Sequence, residues 1–252
     1  MLRPWVSAVW VSGAAAGSES VLPAGRALLV VAFGPVSVGA TLHGPASRVR
    51  EVGVEPGSYL GVQFRAGGTV PFFGGSAAAL ADRSVPLDEL WGASAVRMLE
   101  RLVCDPDEAL GLVEDVLVRR VTGAAVSVGF DRARRALEAG AAVGEVAAAC
   151  GVDRRVLAAV CRREVGFGPK RYARLARFER ALRELRAAAA PPLAVVAARH
   201  GYADQAHLTR EFVALAGFPP GRVHRVPGPT PLHVLHDERF KTGGRAAAKI
   251  GS

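Results

Sequence analysis

The sequence predicts an α+β protein, in which an N-terminal β-rich domain of barrel or sandwich type, with a helical hairpin, precedes an all-α domain. Three observations support this fold class. Short β-branched runs separated by glycine and proline occupy residues 5–85, helical periodicity begins at Pro86, and a helical motif occurs twice after residue 130. The chain has 252 residues, of which 50% are hydrophobic, so each half can bury a core.

The β-rich part contains the runs ALLVVAF, VSVGATLHG, SRVREVGVEPG and YLGVQF. Runs of this kind are typical of short strands in a sandwich or a small barrel. A signal peptide is the alternative for the first residues, but Pro4 and two tryptophans interrupt its apolar core. Because Val6, Val9 and Val11 alternate with serine, we expect a first strand there instead.

Two features indicate the compartment of the protein. The longest other apolar run, residues 27–33, is too short to span a bilayer. The three cysteines, Cys104, Cys150 and Cys161, show no CxxC spacing, which favours a reduced protein. We therefore expect cytoplasmic localisation and no membrane partner.

Helical periodicity begins in the stretch PLDELWGASAVRMLERLV. Its apolar residues recur three and four apart, as on one face of a helix: Leu87, Leu90, Trp91, Met98, Leu99 and Leu102. After a polar turn at residues 104–106, DEALGLVEDVLVRRV repeats the pattern. The sequence therefore predicts a helical hairpin with one apolar face, which packs either on the strands or against a second copy of the chain.

Charge is distributed unequally between the two halves. Residues 1–130 hold 10 Lys/Arg and 12 Asp/Glu, a net charge of −2, whereas residues 131–252 hold 22 and 11, a net charge of +11. Together they give the formal charge of +9. A compositional bias of the genome would affect both halves, so a basic second half beside a near-neutral first half indicates a polyanionic partner for the second half alone.

A repeat organises the basic half. The stretch LAVVAARHGYAD, residues 193–204, matches VGEVAAACGVD, residues 143–153, and similar Gly-Phe-x-Pro segments follow both copies. Each copy predicts a short helix, a left-handed glycine, an N-capping aspartate (Asp153 or Asp204) and a second helix. This is the layout of a helix-turn-helix, whose second helix enters the major groove of DNA. We predict three regions, with residues 1–122 β-rich, 123–226 a tandem helix-turn-helix domain, and 227–252 a flexible basic tail.

The segment GYADQAHLTREF, with GVDRRVLAAVCRREVGFGPKRYARLARFERALREL before it, resembles the tandem helix-turn-helix domain of AraC/XylS-type transcriptional regulators over residues 131–225. The first half is similar to the β-rich sensor domain in one branch of that family, on Pro4, Trp10, residues 61–64, Gly67-Gly68 and the PLDELWG segment. The resemblance implies a bacterial, sequence-specific regulator that binds double-stranded promoter or operator DNA. A small-molecule effector, RNA polymerase and a second copy of the chain are further candidate partners, and no cofactor is expected.

In the second copy, the residues expected to contact DNA are Gln205, Ala206, His207, Thr209 and Arg210. With Asp204 as N-cap, all except His207 share one outward face, and His207 lies at its edge. Arginine pairs with guanine O6 and N7, and glutamine pairs with adenine. The resemblance places positions 206, 207 and 210 in the family's base-reading set. A salt bridge of Arg210 to Glu211 or Asp204 is the alternative.

In the first copy, the candidates are Arg154, Arg155, Ala158, Ala159 and Arg162. Ala158 and Ala159 stand where the family has a polar residue and an arginine, so they offer only apolar contacts, such as to a thymine methyl. Arg155 retains a capacity for base recognition, while Arg162 suits a phosphate. Cys161 replaces the family's phenylalanine and removes core volume. We therefore expect the first copy to be the weaker reader.

The helix between the copies carries arginines at every third position: Arg171, Arg174, Arg177, Arg180, Arg183 and Arg186. At about 100° per residue these side chains wind around the helix, so we expect most of them to form a solvated face. Leu175, Phe178, Leu182 and Leu185 share one arc and predict the buried seam.

Two alternatives to a ligand-responsive regulator remain. One is a cupin-like enzyme fused to a DNA-binding domain, but only His43 lies in the β-rich half, and His233-x-x-His236 lies in the predicted tail. The other is a constitutive DNA-binding protein with an inert first half. We expect no enzyme activity, because no clustered acid-base or metal-ligating residues accompany the strands.

Overall fold

The computed structural model describes residues 2–34, 38–104, 108–121, 128–187, 189–225 and 233–234. Both predicted domain boundaries, near residues 122 and 226, lie outside these ranges. So do residues 105–106 of the predicted polar turn and all of the predicted tail except residues 233–234. The described residues confirm the α+β class, with strands first and helices after them.

The described strands form two antiparallel sheets. Their bounds are β1 (Val6–Ala14), β2 (Gly17–Val21), β3 (Leu28–Phe33), β4 (Gly39–His43), β5 (Arg50–Val54), β6 (Gly57–Phe64), β7 (Ser84–Pro86) and β8 (His233–Val234). A six-stranded sheet has the order β7-β4-β3-β6-β1-β8, and β2 pairs with β5 as a ribbon. The β-rich prediction is confirmed, and the larger sheet is open, with β7 and β8 at its edges.

Strands β3 and β4 alternate between buried and half-buried residues, as a sheet with one covered face requires. In β3, Leu29 and Val31 are fully buried, and Leu29 pairs with Val62 of β6. Gly61 of β6 lies under the Trp10 indole, where an added Cβ would stand 2.1 Å from Trp10 Cε2. Only glycine at position 61 leaves room for the Trp10 indole of the neighbouring strand β1.

Among the described residues, four α-helices accompany the sheets: α1 (Val70–Phe73), α2 (Leu87–Trp91), α3 (Ala93–Cys104) and α4 (Ala109–Val121). The sequence predicted one helix across α2 and α3. The structure breaks it at Gly92, whose φ of 54° is left-handed. Met98 and Leu102 of α3 and Leu117 of α4 belong to the same core as the strands, so the apolar face of the hairpin packs on the sheet.

The described part of the second half contains six α-helices: α5 (Val128–Ala139), α6 (Val143–Ala149), α7 (Arg154–Val165), α8 (Pro169–Leu185), α9 (Leu193–Arg199) and α10 (Gln205–Ala216). We call residues 143–165 unit 1 and residues 193–216 unit 2. Helix α8 joins the units, and its predicted seam is confirmed, since Leu175 and Phe178 are fully buried. Each unit has a separate hydrophobic core.

Candidate nucleic-acid interface

Unit 1 has the local structure that its sequence predicts. Helix α6 is followed by Gly151, whose φ is 67°. The Asp153 carboxylate then accepts the backbone N–H groups of Arg155 at 2.6 Å and Val156 at 2.8 Å. Because these amides have no partner within the helix, the aspartate fixes where α7 begins.

Unit 2 repeats this geometry. Gly201 has a φ of 73°, and the Asp204 carboxylate accepts the His207 N–H at 2.6 Å. Helix α10 ends at the left-handed Gly217, as α7 ends at Gly166. With both N-caps confirmed, α7 and α10 align without a gap, and this register pairs Arg155 with Ala206, Val156 with His207, Ala159 with Arg210 and Arg162 with Val213.

On α10, Gln205, Ala206 and Arg210 are exposed. The Thr209 hydroxyl donates to the Gln205 carbonyl oxygen at 2.9 Å, so it is already engaged with the helix. His207 is half-buried, with its ring edge-on to Tyr202 at 5.4 Å. Its Nδ1 accepts the Ala203 N–H at 3.2 Å, an arrangement that leaves the ring N–H on Nε2.

Arg210 is available for DNA because its acidic neighbours are engaged elsewhere. The Glu211 carboxylate accepts two hydrogen bonds from Arg174, at 2.7 and 2.9 Å. Asp204 caps the helix. Within the part of the chain that the structure describes, Arg210 forms no ion pair. The alternative of a salt bridge to Glu211 or Asp204 is therefore not observed.

On α7, Arg155, Ala159 and Arg162 are exposed, and Ala158 is half-buried. Arg154 is exposed too, but its guanidinium lies over Gly144 of α6, where an added Cβ would stand 2.6 Å from Nη2. The structure thus brings Arg155, Ala159 and Arg162 together on one outward face. Arg154 lies to its side.

The arginines of α8, together with Arg186 at its C-cap, divide into two groups. Arg171, Arg183 and Arg186 are exposed, as expected. The other three, Arg174, Arg177 and Arg180, are half-buried, which corrects the expectation that most are solvated. Helical periodicity could not reveal this, because Glu211 and the turn at residues 201–202 reach α8 only through the fold of unit 2.

Arg177 and Arg174 attach unit 2 to α8. The Arg177 guanidinium lies 4.6 Å from the Tyr202 ring centre and donates to the Gly201 carbonyl oxygen at 3.2 Å. Burial alone would raise the pKa of Glu211, but the Arg174 hydrogen bonds and the positive charges of both arginines lower it. These contacts set the orientation of α10 relative to α8.

The two unit cores differ in volume at equivalent positions. In unit 2, Phe212 is fully buried and its ring lies 4.7 Å from that of Phe178. In unit 1, Cys161 takes the place of Phe212 and is fully buried beside Leu137 and Tyr172. Burial raises the pKa of the Cys161 thiol to about 11, so the group is neutral and acts as a small apolar side chain.

Both recognition helices end against the N-terminal domain. The Val49 N–H donates to the Leu215 carbonyl oxygen at 2.8 Å, near the end of α10. At the end of α7, a Cβ on Gly166 would stand 3.0 Å from the Ala77 carbonyl oxygen. Between them, the Gly25 N–H donates to Glu179 of α8 at 3.0 Å. Sequence patterns did not predict these contacts.

A cleft of about 110 Å³ separates the two halves on the unit 1 side. Trp5 and Arg65 line it from the N-terminal domain, and Phe130, Arg163 and Glu164 line it from the helical half. Arg163 and Glu164 form an ion pair at 3.2 Å. Burial raises the pKa of the Glu164 carboxyl, although the charge of Arg163 acts in the opposite direction.

Two capped recognition helices, joined by a long helix and held on one scaffold, define a DNA-binding protein of the helix-turn-helix class. Comparison with known proteins agrees. Residues 146–226 match the family model described as a helix-turn-helix domain, and residues 1–86 match a domain of unknown function, DUF6597. No curated protein sequence matches the chain.

Two solved structures similar to the chain are both of ToxT from Vibrio cholerae. ToxT from strain O395 is 6% identical, with a TM-score of 0.47, and the match covers 90% of this chain and 99% of ToxT. Unsaturated fatty acid bound wild-type ToxT from strain SCE256 is 8% identical, with a TM-score of 0.44, and the match covers 91% and 98%. Residues 146–226 therefore form a helix-turn-helix domain of the AraC type, a kind of domain that binds DNA.

The described residues offer neither a metal site nor a membrane span. Among them, no group of three or more His, Cys, Asp and Glu side chains is placed to hold a metal ion. None of the described helices is long and apolar enough to cross a bilayer.

Proposed function

We propose that the chain regulates transcription by inserting α7 and α10 into the major groove at two neighbouring segments of one operator. The proposed contacts are Arg154, Arg155, Ala158, Ala159 and Arg162 from unit 1, and Gln205, Ala206, His207, Thr209 and Arg210 from unit 2. One observation carries the proposal. Arg210 stands exposed on the outward face of a capped recognition helix, while Asp204 and Glu211 are engaged elsewhere.

The side chains suggest how the bases are read. Arg210 suits bidentate hydrogen bonds to guanine O6 and N7, and Gln205 suits adenine. The His207 Nε2–H is a single donor for a base acceptor or a phosphate. Thr209 uses its hydroxyl within the helix, so its methyl group is the part left for DNA. Arg162, one turn after Ala159, fits the phosphate backbone.

We further propose that a ligand in the cleft between the halves alters DNA binding, so that residues 1–122 sense the effector and residues 123–226 bind DNA. The cleft supports this because Arg163 and Glu164, near the end of α7, form part of its wall. Since α7 and α10 both end against the N-terminal domain, a ligand that shifts this contact displaces the reading helices. The chain then acts by binding rather than by catalysis.

A second copy of the chain is a candidate partner at α3. Val96 and Val103 are 45% and 62% exposed there, although the opposite face of the helix is buried in the sheet core. They lie seven residues apart, two turns along one side of α3. A homodimer through this side would place two DNA-binding halves on one operator. Sedimentation of the wild type and of Val103→Lys would test it, because a dimer through α3 would dissociate in the variant.

The proposed function is tested with a duplex that the chain itself selects from a random library. Gel shifts over a salt series would compare the wild type, Arg210→Ala and Arg97→Ala, a control that removes the same charge from an exposed position on α3. We expect Arg210→Ala to cost roughly 1–3 kcal/mol on the selected site and far less on random DNA. Arg97→Ala should bind as the wild type does.

Two results would contradict the proposal. Failure to enrich any sequence, with binding that falls steeply with salt for all duplexes, would describe a generic DNA binder. Equal losses for Arg210→Ala and Arg97→Ala would remove Arg210 from the reading set. Repeating the assay with pools of small metabolites would test the ligand, since a constitutive DNA-binding protein would show no change in affinity.

A further inference from the structure

The alignment of α7 with α10 at their N-caps points to Val156, which was not among the DNA contacts predicted from the sequence. Val156 of α7 holds the position that His207 holds on α10, in the first turn after the N-cap. Val156 is 44% exposed, whereas the next residue, Leu157, is 2% exposed and belongs to the core of unit 1. A β-branched apolar side chain therefore projects from the part of a recognition helix that meets base edges.

In the first two turns of α7, Arg155 is the residue whose side chain can hydrogen-bond to a base edge near Val156. Ala158 and Ala159 have no hydrogen-bonding side-chain atoms, and Arg154 lies over α6. At about 100° per residue, Ala159 lies between Arg155 and Val156 around the helix. Over its first two turns, the outward face of α7 consists of one guanidinium beside a continuous apolar strip formed by Val156 and Ala159.

An apolar strip of this kind favours base edges that carry a methyl group and disfavours those that carry an amino group. In the major groove the base edges present hydrogen-bond donors and acceptors, and the sole apolar group is the C5 methyl of thymine. Covering a cytosine or adenine amino group with valine would leave a buried donor without a partner. Covering the thymine methyl group removes apolar surface from water instead.

We propose that Val156, with Ala159 beside it, reads the methyl group of a thymine adjacent to the base contacted by Arg155. The inference rests on the proposed function, because it requires α7 to lie in the major groove. It assigns unit 1 an apolar mode of reading, which differs from the hydrogen-bonding mode of Arg210 and Gln205 in unit 2.

The test removes a single methyl group. Each thymine in the unit 1 half of the selected site would be replaced by 2′-deoxyuridine, one at a time, and affinities measured for the full chain. We expect one position to weaken wild-type binding about four-fold, the effect of one buried methyl group. In Val156→Ala, thymine and uracil at that position should bind alike.

Val213→Ala is the matched control, because Val213 is 49% exposed on α10 of unit 2. It should retain the four-fold preference for thymine in the unit 1 half. Circular dichroism would check folding, which Val156→Ala should preserve because the residue lies outside the core and alanine favours helices.

The outcomes separate the two proposals. A selected site that footprints normally, but in which no methyl loss depends on Val156, would overturn the inference and leave the proposed function standing. The inference also fails, with the proposed function intact, if Val156→Ala weakens thymine and uracil sites equally. Failure to select any site would overturn the proposed function, and the inference with it.

Discussion

The Arg174–Glu211 contact offers a quantitative test of how α10 is held. The Glu211 side chain is 16% exposed and that of Arg174 is 40% exposed, and two hydrogen bonds of 2.7 and 2.9 Å join them. A hydrogen bond to a charged group contributes about 1.5–3 kcal/mol when buried. The exposure of Arg174 reduces this by solvent screening, so we expect a coupling free energy of about 1–2 kcal/mol for the pair.

A double-mutant cycle measures this coupling. Urea unfolding would be followed by circular dichroism for the wild type, Glu211→Gln, Arg174→Gln and the double variant. Tryptophan fluorescence is a second probe, because all three tryptophans lie in residues 1–91 and report on the sheet rather than on unit 2. The losses in unfolding free energy of the two single variants should add up to more than the loss of the double variant, and the difference is the coupling free energy. The loss should appear in the helical circular dichroism signal before it appears in the tryptophan fluorescence.

The Arg135–Asp131 pair of α5 is the control, because it has a similar distance of 2.8 Å but joins residues four apart in one helix, through an arginine that is 67% exposed. Its coupling should be about 0.5 kcal/mol or less. The pH dependence gives a second check. Since the folded-state pKa of Glu211 is lowered, its contribution is complete above the ordinary value of 4.5 and is lost as the pH falls through the lowered value. Additive effects of Glu211→Gln and Arg174→Gln at neutral pH would show that this pair does not hold α10.

Two further predictions concern the N-terminal domain. Gly25→Ala would place a Cβ 2.7 Å from Cε2 of the buried Tyr172 ring, so we expect a loss of about 1–3 kcal/mol in urea unfolding; Gly39→Ala, where nothing lies within 4 Å of the new Cβ, should cost much less. Burial, and then the charge of Arg50, lower the pKa of His43 from 6.5 to about 4. In the unfolded state His43 takes up a proton near its ordinary pKa of 6.5, whereas in the folded state it does so only near pH 4. The free energy of unfolding of the wild type should therefore fall by on the order of 2–3 kcal/mol as the pH is lowered from 6.5 to 4. A His43→Gln variant with an unchanged pH profile would contradict the assignment.

Local signals in the sequence were sufficient for the helix-turn-helix units. A capping aspartate, a left-handed glycine and a helical period are each set by residues within a few positions of one another. Asp153, Gly151, Asp204 and Gly201 consequently adopt the predicted conformations. Because Asp153 and Asp204 both cap their helices, they fix the alignment of α7 with α10, and this alignment identifies Val156 as the equivalent of His207.

Contacts between distant segments were not predictable in this way. The periodicity of α8 placed its arginines around the helix, but their burial depends on Glu211, which lies 37 residues beyond Arg174. Strand β2 was missed because GSESV lacks the β-branched texture of its neighbours and is defined by its pairing with β5. Gly92 was treated as part of a continuous helix, because an isolated glycine inside a helical pattern is often tolerated.

The ends of the recognition helices show how the two halves of the chain depend on each other. The last four carbonyl groups of a helix have no partner within it, so each requires a donor from outside. At Leu215 that donor is the Val49 N–H of the N-terminal domain. At the end of α7, the left-handed Gly166 packs against residues 77–81, where an added Cβ would stand 3.0 Å from the Ala77 carbonyl oxygen and 3.2 Å from the Ala81 Cβ. Because α7 and α10 both contact the N-terminal domain at their C-terminal ends, the spacing between them depends on both halves of the chain. A ligand that shifted the N-terminal domain would therefore change the positions of α7 and α10 directly, through these contacts.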